Sequence, residues 1–376
     1  MSDTIRIGNE WYVTVASVRA DNNPYVVKSD DTFALFDRFG DIRSFGTGEH
    51  GLYHEDTRFL SHLELTIDGL RPMYLGATVK ERSNLLIVEL MNPDLERDGE
   101  VALAKGEIHI FRAKLLWEAA CHEHIRLSHH GLEPAEFEIG LRFDADFRDL
   151  FEVRGAHRAK SGERAPPVRR DGTLDFDYRG LDGVARTACV RLSPAPTRWG
   201  EREAHFKVRL APGQEQHLYC TITCDVGGQP RRRSEGYEAA FRSNARARAR
   251  EDGDRCHIES SNPLVDQWID RSLSDLAMLT TDLPTGPYPY AGVPWYSTTF
   301  GRDALITARQ MLWLDPSLAR GVLACLAATQ AATEEPERDA EPGKILHEAR
   351  KCEMARTREV PFGRYYGTVD ATPLFV

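Results

Sequence analysis

An antiparallel β-sandwich followed by a helical domain is the multidomain fold that the sequence predicts, and three observations predict it. Residues 1–228 place apolar side chains at every second position in run after run. After Gly228 the apolar period lengthens from two to nearly four. From residue 261 onward, two proline-led helix starts follow in close succession. Period-two runs broken by Gly, Asp, Asn and Pro mark antiparallel strands with one wetted face.

The sandwich elements come first. In Leu63-Glu64-Leu65-Thr66-Ile67 apolar and polar residues alternate, and Asp68-Gly69 follows as a hairpin turn signal. Phe137, Ile139, Leu141 and Phe143 share one parity against Glu136, Glu138 and Arg142. Leu218, Cys220, Ile222 and Cys224 repeat that pattern opposite Tyr219, Thr221 and Thr223. The stretch 161–171 is basic and contains prolines, so it reads as a surface loop. The sandwich domain is assigned to 1–228 and reads as strands throughout. A linker follows at 229–260, with an Ala-, Arg- and Glu-rich solvated helix at 235–252.

The helical domain is assigned to 261–376. Ser261 or Asn262 caps its first helix, with Pro263 at the first helical position. Leu264, Trp268 and Leu276 form one row and Val265, Ile269, Leu273 and Ala277 the next, a double stripe that calls for burial on a broad face. A second helix is expected over 302–314. Asp315-Pro316 starts a third, carried by Leu318, Val322, Leu323 and Leu326. Long loops separate these helices, and such loops are usually functional or disordered.

Composition narrows the partners. With 376 residues, 41% hydrophobic and 28% charged, the chain can bury two or three cores. A net charge of −10 argues against nucleic acid and against an anionic membrane surface. A neutral ligand suits it well. The N-terminal residues show no basic segment leading into an apolar run, and no stretch approaches the ~20 apolar residues that span a bilayer. Seven cysteines form no disulfide framework. Cys220 and Cys224 on one strand would lie ~13 Å apart, beyond the ~7 Å a disulfide spans. A cytoplasmic setting with reduced thiols is expected.

Three segments carry candidate chemistry. The loop 285–300 holds Tyr288, Tyr290, Trp295, Tyr296 and Phe300 among prolines, a preformed set of ring faces suited to the C–H surface of a sugar. Arg302-Asp303 follows at a helix start, where a carboxylate is favoured and can accept sugar hydroxyls. Interdomain core, with Asp303 as a cap, is an equal alternative. The loop 333–360 contains Lys344, His347, Glu348 and Arg350, either a polar pocket or a loop ion-pair network, and composition favours the network. In 365–375, Asp370 lies among aromatic and apolar neighbours, which predicts a raised pKa suited to a general acid. A helix N-cap is the plainer role for it. His122, His124, His129 and His130 match no metal motif and read as a surface strand and turn. Gly46-Thr47-Gly48 lacks the rest of a nucleotide loop, so no cofactor is expected.

Five segments, in order, resemble bacterial amylo-alpha-1,6-glucosidases of the glycogen debranching type. They are Gly51 to Leu60 (GLYHEDTRFL), Ala145 to Gly155 (ADFRDLFEVRG), Gly292 to Asp303 (GVPWYSTTFGRD), Pro342 to Glu348 (PGKILHE) and Tyr366 to Ala371 (YGTVDA). The resemblance implies a supersandwich-like β-sandwich followed by an (α/α)6 six-hairpin toroid. It matches Asp370 to the general acid and Asp303 to the pocket for the non-reducing glucosyl unit. The candidate substrate-binding residues are Trp295, Tyr296, Arg302, Asp303, Lys344, His347 and Glu348. Cys352 departs from the resemblance, which leads us to expect glycine there.

The reaction this implies is inverting release of glucose from an α-glucan or oligosaccharide. Inversion needs a second carboxylate ~6.5–9.5 Å from the acid. The family's base glutamate lies downstream of the Asp370 position, so the sequence reading expects an unfinished toroid and a chain inactive alone. Its uncovered helix faces would favour a second polypeptide or self-association. A sugar phosphorylase, with phosphate in place of the activated water, is the alternative within this architecture. A non-catalytic carbohydrate-binding or partner-binding protein is the third reading.

Overall fold

The computed structural model describes residues 4–7, 10–13, 24–43, 48–80, 84–228, 236–253, 256 and 258–376. Gly46 and Thr47 of the glycine fragment, and 229–235 of the linker, lie outside these residues.

Two large sheets face each other across one core. The larger runs in the order Glu163–Arg164, Thr173–Arg179, Ala185–Ser193, Glu215–Val226, Ala120–His129, Ile108–Trp117, Leu85–Met91 and Met73–Val79, with Val168–Arg170 also paired to Thr173–Arg179. Opposite it lie Arg198–Trp199, Glu203–Leu210, Ala135–Asp144 and His62–Ile67. A second four-stranded sheet joins Tyr25–Ser29, Thr32–Phe36, Gly51–His54 and Thr57–Leu60. The named ladders are antiparallel. The parity read from the sequence sets their faces. Phe137, Ile139, Leu141 and Phe143 of one sheet meet Leu218, Cys220, Ile222 and Cys224 of the other in a single cluster. Burying each such side chain contributes about 1.5–3 kcal/mol.

A charged group lies inside this sandwich. Arg112 donates from Nε to Glu123 at 2.7 Å and from Nη1 to Asp41 at 2.6 Å, and Lys114 sits 2.6 Å from the other Glu123 oxygen. All four side chains are at most 1% exposed.

Seven α-helices are described: α1 (Leu150–Val153), α2 (Tyr237–Gly253), α3 (Pro263–Leu279), α4 (Gly301–Met311), α5 (Pro316–Ala328), α6 (Glu353–Arg356) and α7 (Ala371–Phe375). The Asn262 side chain accepts from Leu264 N–H to cap α3, and Asp315 does the same for α5 through Ser317 N–H. Helices α4 and α5 pack on each other and on Gly286–Pro289. Among the described residues no helix is long and apolar enough to cross a membrane.

Several expectations are corrected. Asp68 and Gly69 both take positive φ, 46° and 76°, in a tight turn, yet the chain then leaves for the other sheet instead of forming a hairpin. The strand-only reading of 1–228 misses α1. The presumed loop 161–171 contributes two short, exposed edge strands. Helix α2 is not fully solvated, because Tyr237 and Ala240 pack on Ala113 and Leu115, and Asn244 accepts from Asn84 at 2.7 Å. The double stripe of α3 is not buried. Its main contacts among the described residues are with Tyr25–Ser29, Thr280–Leu283 and Gly286–Pro289, and Leu264 is 72% and Trp268 70% exposed. Leu323 of α5 also faces outward.

Candidate functional site

The site is built around the start of α4. Thr299–Phe300 pairs with Glu348–Ala349, and Gly301 N–H donates to His347 O at 2.9 Å. A Cβ on Gly301 would stand 1.9 Å from the Leu346 carbonyl oxygen, so only glycine lets the two segments approach this closely. Gly301→Ala is expected to cost about 1–3 kcal/mol by overpacking and to weaken any ligand binding at α4, read by thermal melting beside saccharide titration. A third segment is stitched on by His347 N–H donating to Tyr365 O at 2.7 Å.

This brings together residues far apart in sequence. Arg302 lies between Asp303, 3.3 Å from Nη2, and Asp370, 3.5 Å from Nη1. His347 stands beside them, edge-on to Phe300 at 5.8 Å and to Tyr365 at 5.9 Å. Burial, reinforced by the Arg302 charge, holds its pKa below the ordinary imidazole value, so it is neutral at pH 7. Buried atoms here without a hydrogen-bond partner include Asp303 Oδ2, His347 Nδ1 and Ser297 Oγ.

Asp370 does not behave as its sequence neighbours suggest. A hydrogen bond from the Thr368 hydroxyl, helped by Arg302, holds its carboxyl below the usual carboxylate range. The neighbouring rings do not wall it in. Tyr366 turns inward to donate to Thr329 O at 2.8 Å, Tyr365 donates to Asp339 at 2.6 Å, and Val369 is 95% exposed. Asp370 occupies the N-cap position of α7, but its side chain caps nothing there.

The remaining candidates divide. Tyr288 and Tyr290 are core, not a sugar-facing surface: Tyr288 donates to Phe300 O and Tyr290 to Asp31, each at 2.8 Å. Pairing of Thr280–Leu283 with Gly286–Pro289 turns them inward. Tyr296 is 46% exposed and meets Phe300 edge-on at 5.8 Å, while Trp295 packs against Phe33, Leu35, Tyr53 and Leu150 of the sandwich. Lys344 is held by Asp339 O at 3.0 Å and Glu341 at 2.8 Å, apart from the Arg302 group. Glu348 is buried 3.6 Å from Arg350, and burial pushes its carboxyl upward.

Sequence reading missed the seam that joins the two domains. Arg350 donates to Asp56 at 3.0 Å and to Trp295 O at 2.8 Å. Lys351 donates to Asp31 at 2.5 Å, and Arg158 bridges Glu353 and Glu359 at 3.1 and 2.5 Å. Asp149 accepts from Phe151 N–H and Met354 N–H, and burial pushes its carboxyl up to about 6. Cys352 is fully buried there, with its thiol on Asp149, which accounts for a side chain where glycine was expected. The sequence does carry a signal for α1, which places Asp149 in this seam. Asp149 and Glu152 form a capping box, and Gly155 and Ala156 close α1 with bonds to Glu152 O and Phe151 O, a Schellman ending.

Beneath the site the rings close a circuit. Phe151 stacks on Phe362 at 5.4 Å, Phe362 meets Tyr365 at 5.4 Å, and Tyr365 leads through His347 to Phe300. Arg350 completes it, 5.8 Å from Phe300 and 5.2 Å from Phe151.

A solved structure described as a kojibiose phosphorylase from the human microbiome shares this fold, with a TM-score of 0.54 at 11% identity. The match covers 84% of this chain and 47% of that one, so the chain spans about half the length of that structure. Two further structures overlap it less. One, described as an aldose 1-epimerase from Escherichia coli K12, has a TM-score of 0.32 at 9% identity over 54% of this chain and 99% of its own. A galactose mutarotase related enzyme from Lactobacillus acidophilus has a TM-score of 0.31 at 10% identity over 56% and 100%. No curated protein matches the sequence. The first of these shares the fold, a β-sandwich joined to packed helices. The N-terminal domain of (some) glycogen debranching enzymes matches residues 27–221, more than half of the chain, and the chain belongs to that family.

Proposed function

We propose that this protein is a glycoside hydrolase of the amylo-alpha-1,6-glucosidase type, releasing glucose from an α-glucan or oligosaccharide with inversion. One observation carries the reading: Arg302 holds Asp303 and Asp370 in a group where Asp303 Oδ2, though 3.3 Å from Arg302 Nη2, and His347 Nδ1 make no hydrogen bond. A buried polar atom left unpaired costs about 1–3 kcal/mol, which a ligand rich in hydroxyls can return. Sugar hydroxyls both donate and accept, so they suit a carboxylate oxygen beside a neutral imidazole. The exposed ring of Tyr296 offers a stacking face nearby.

Asp370 is the general acid in this reading, and its carboxyl is low in the free protein. A bound sugar would cover it, and loss of water moves a carboxyl pKa upward, toward an acid that can protonate the glycosidic oxygen. Asp303 stays a hydroxyl-binding carboxylate. The second carboxylate that inversion requires, ~6.5–9.5 Å from the acid, is assigned to none of the described residues. Neutral saccharides of the cytoplasm are the substrate pool that fits the net charge of −10. A sugar phosphorylase is the second reading, favoured by the shared fold and by the Arg302 cation.

The test is titration with panose, followed by assay of glucose release from panose and a branched limit dextrin, with and without phosphate. Asp303→Asn is expected to weaken panose binding about tenfold, the value of a hydrogen bond to a charged group. Where the second carboxylate is supplied, Asp370→Asn is expected to lower glucose release ~10²–10⁴-fold. Phosphate-dependent formation of a sugar phosphate would establish the second reading instead. Absence of binding to any α-glucoside would sink both.

A further inference from the structure

We infer that the sandwich domain contributes Arg154 to a second saccharide subsite, in which its guanidinium and the rings of Trp295 and Tyr296 grip the sugar unit next to the one held at Asp303. The inference rests on the reading of Asp303 and Asp370 given above. Arg154 is the C-cap of α1, held in helical backbone conformation by its N–H bond to Leu150 O, and the Schellman turn through Gly155, φ 111°, carries the chain away after it. Its Cζ lies 6.0 Å from the Trp295 ring and 5.9 Å from the Tyr296 ring. No hydrogen bond or ion pair of the Arg154 side chain is found among the described residues, so its N–H fork is open to a ligand.

The rings it covers are fixed. Gly292 and Tyr296 exchange backbone hydrogen bonds of 3.3 and 3.0 Å, which closes the turn that carries Trp295. Trp295 is seated on Phe33, Leu35, Tyr53 and Leu150, and Arg350 donates to its carbonyl. Two ring contacts, Tyr296 to Phe300 and Phe300 to His347, lead from this surface to the Arg302 group. The subsite therefore lies beside the first one. Its chemistry selects a sugar: an aromatic face takes the C–H side of a ring, and a planar fork of donors takes vicinal hydroxyls. The Asp303 and Asp370 carboxylates nearby disfavour an anion.

Calorimetric titration of the whole chain with glucose and with panose separates the subsites. Arg154→Ala is expected to weaken panose about tenfold and leave glucose unchanged, with little change in melting temperature because the side chain is exposed and makes only ring contacts and a charge interaction with Glu348. Arg154→Lys should recover only part of the loss, since an ammonium lacks the fork. Unchanged panose affinity in Arg154→Ala overturns the inference and leaves the Asp303 reading intact. Equal weakening of both sugars overturns it too, as does loss of inorganic phosphate binding with panose unaffected. A wild-type chain that binds neither sugar overturns the Asp303 reading, and the subsite falls with it.

Discussion

Replacing Arg112 by methionine should destabilise the protein by about 3–5 kcal/mol, the cost of removing one partner from a buried ion pair. The arginine is fully buried and serves Glu123, Asp41 and the Phe39 carbonyl at once. Methionine fills much of the volume but leaves Asp41 without its main cation and Glu123 with Lys114 alone. Because Asp41 also accepts from Leu65 N–H at 3.2 Å, the loss reaches both sheets. The deficit should depend on pH. Burial already raises the Asp41 pKa despite Arg112, so the folded state keeps a proton that the unfolded chain gives up first. A carboxyl of that kind contributes stability at low pH and loses it as pH rises through the folded pKa. Urea unfolding of Arg112→Met should therefore show a larger deficit at pH 8 than at pH 5. A loss under 1 kcal/mol at both would contradict the role given to this group.

Arg350→Met should open the seam between the domains, again at about 3–5 kcal/mol, but with a different pattern of protection. Asp56 and Glu348 would be left buried without their guanidinium, and burial already pushes both carboxyls up. The Trp295 carbonyl loses its donor, and the ring circuit loses the link between Phe151 and Phe300. Hydrogen exchange should rise across 345–366 while strand Glu215–Val226 stays protected, and panose affinity should fall with it. Lysine at 350 should not restore protection, because one ammonium cannot serve both Asp56 and Trp295 O. A loss spread evenly over the whole chain would show that the seam is not a separate unit of stability.

Much of the fold was legible because the signals were local. Strand faces at 63–67, 137–143 and 218–224, and the caps at Asn262 and Asp315, follow from side-chain period and backbone valence alone. Partner choice was not legible. Alternation says which face of a strand is wet but not which sheet it joins, so the Asp68-Gly69 turn could lead either way. A four-residue helix such as α1 is too short to show a period, although its capping box and Gly155 mark both ends. At the candidate site the limit was distance along the chain. Arg302 meets Asp370, and Arg350 meets Asp56, through pairing that no window of residues contains. The raised pKa expected of Asp370 fails for the same reason, since Tyr365 and Tyr366 lie close to it in sequence and turn away from it in space.

The matched region ends at residue 221, yet Asp31, Asp56, Asp149 and Tyr178 inside it find partners at Lys351, Arg350, Met354 and Glu353 outside it. The sandwich is therefore not an interchangeable cassette. In a chimera that borrows it without the stretch around 348–359, these groups would meet a neighbour shaped for a different set. Two chains of this kind can trade sandwiches only if the complementary stretch is inherited in the same exchange.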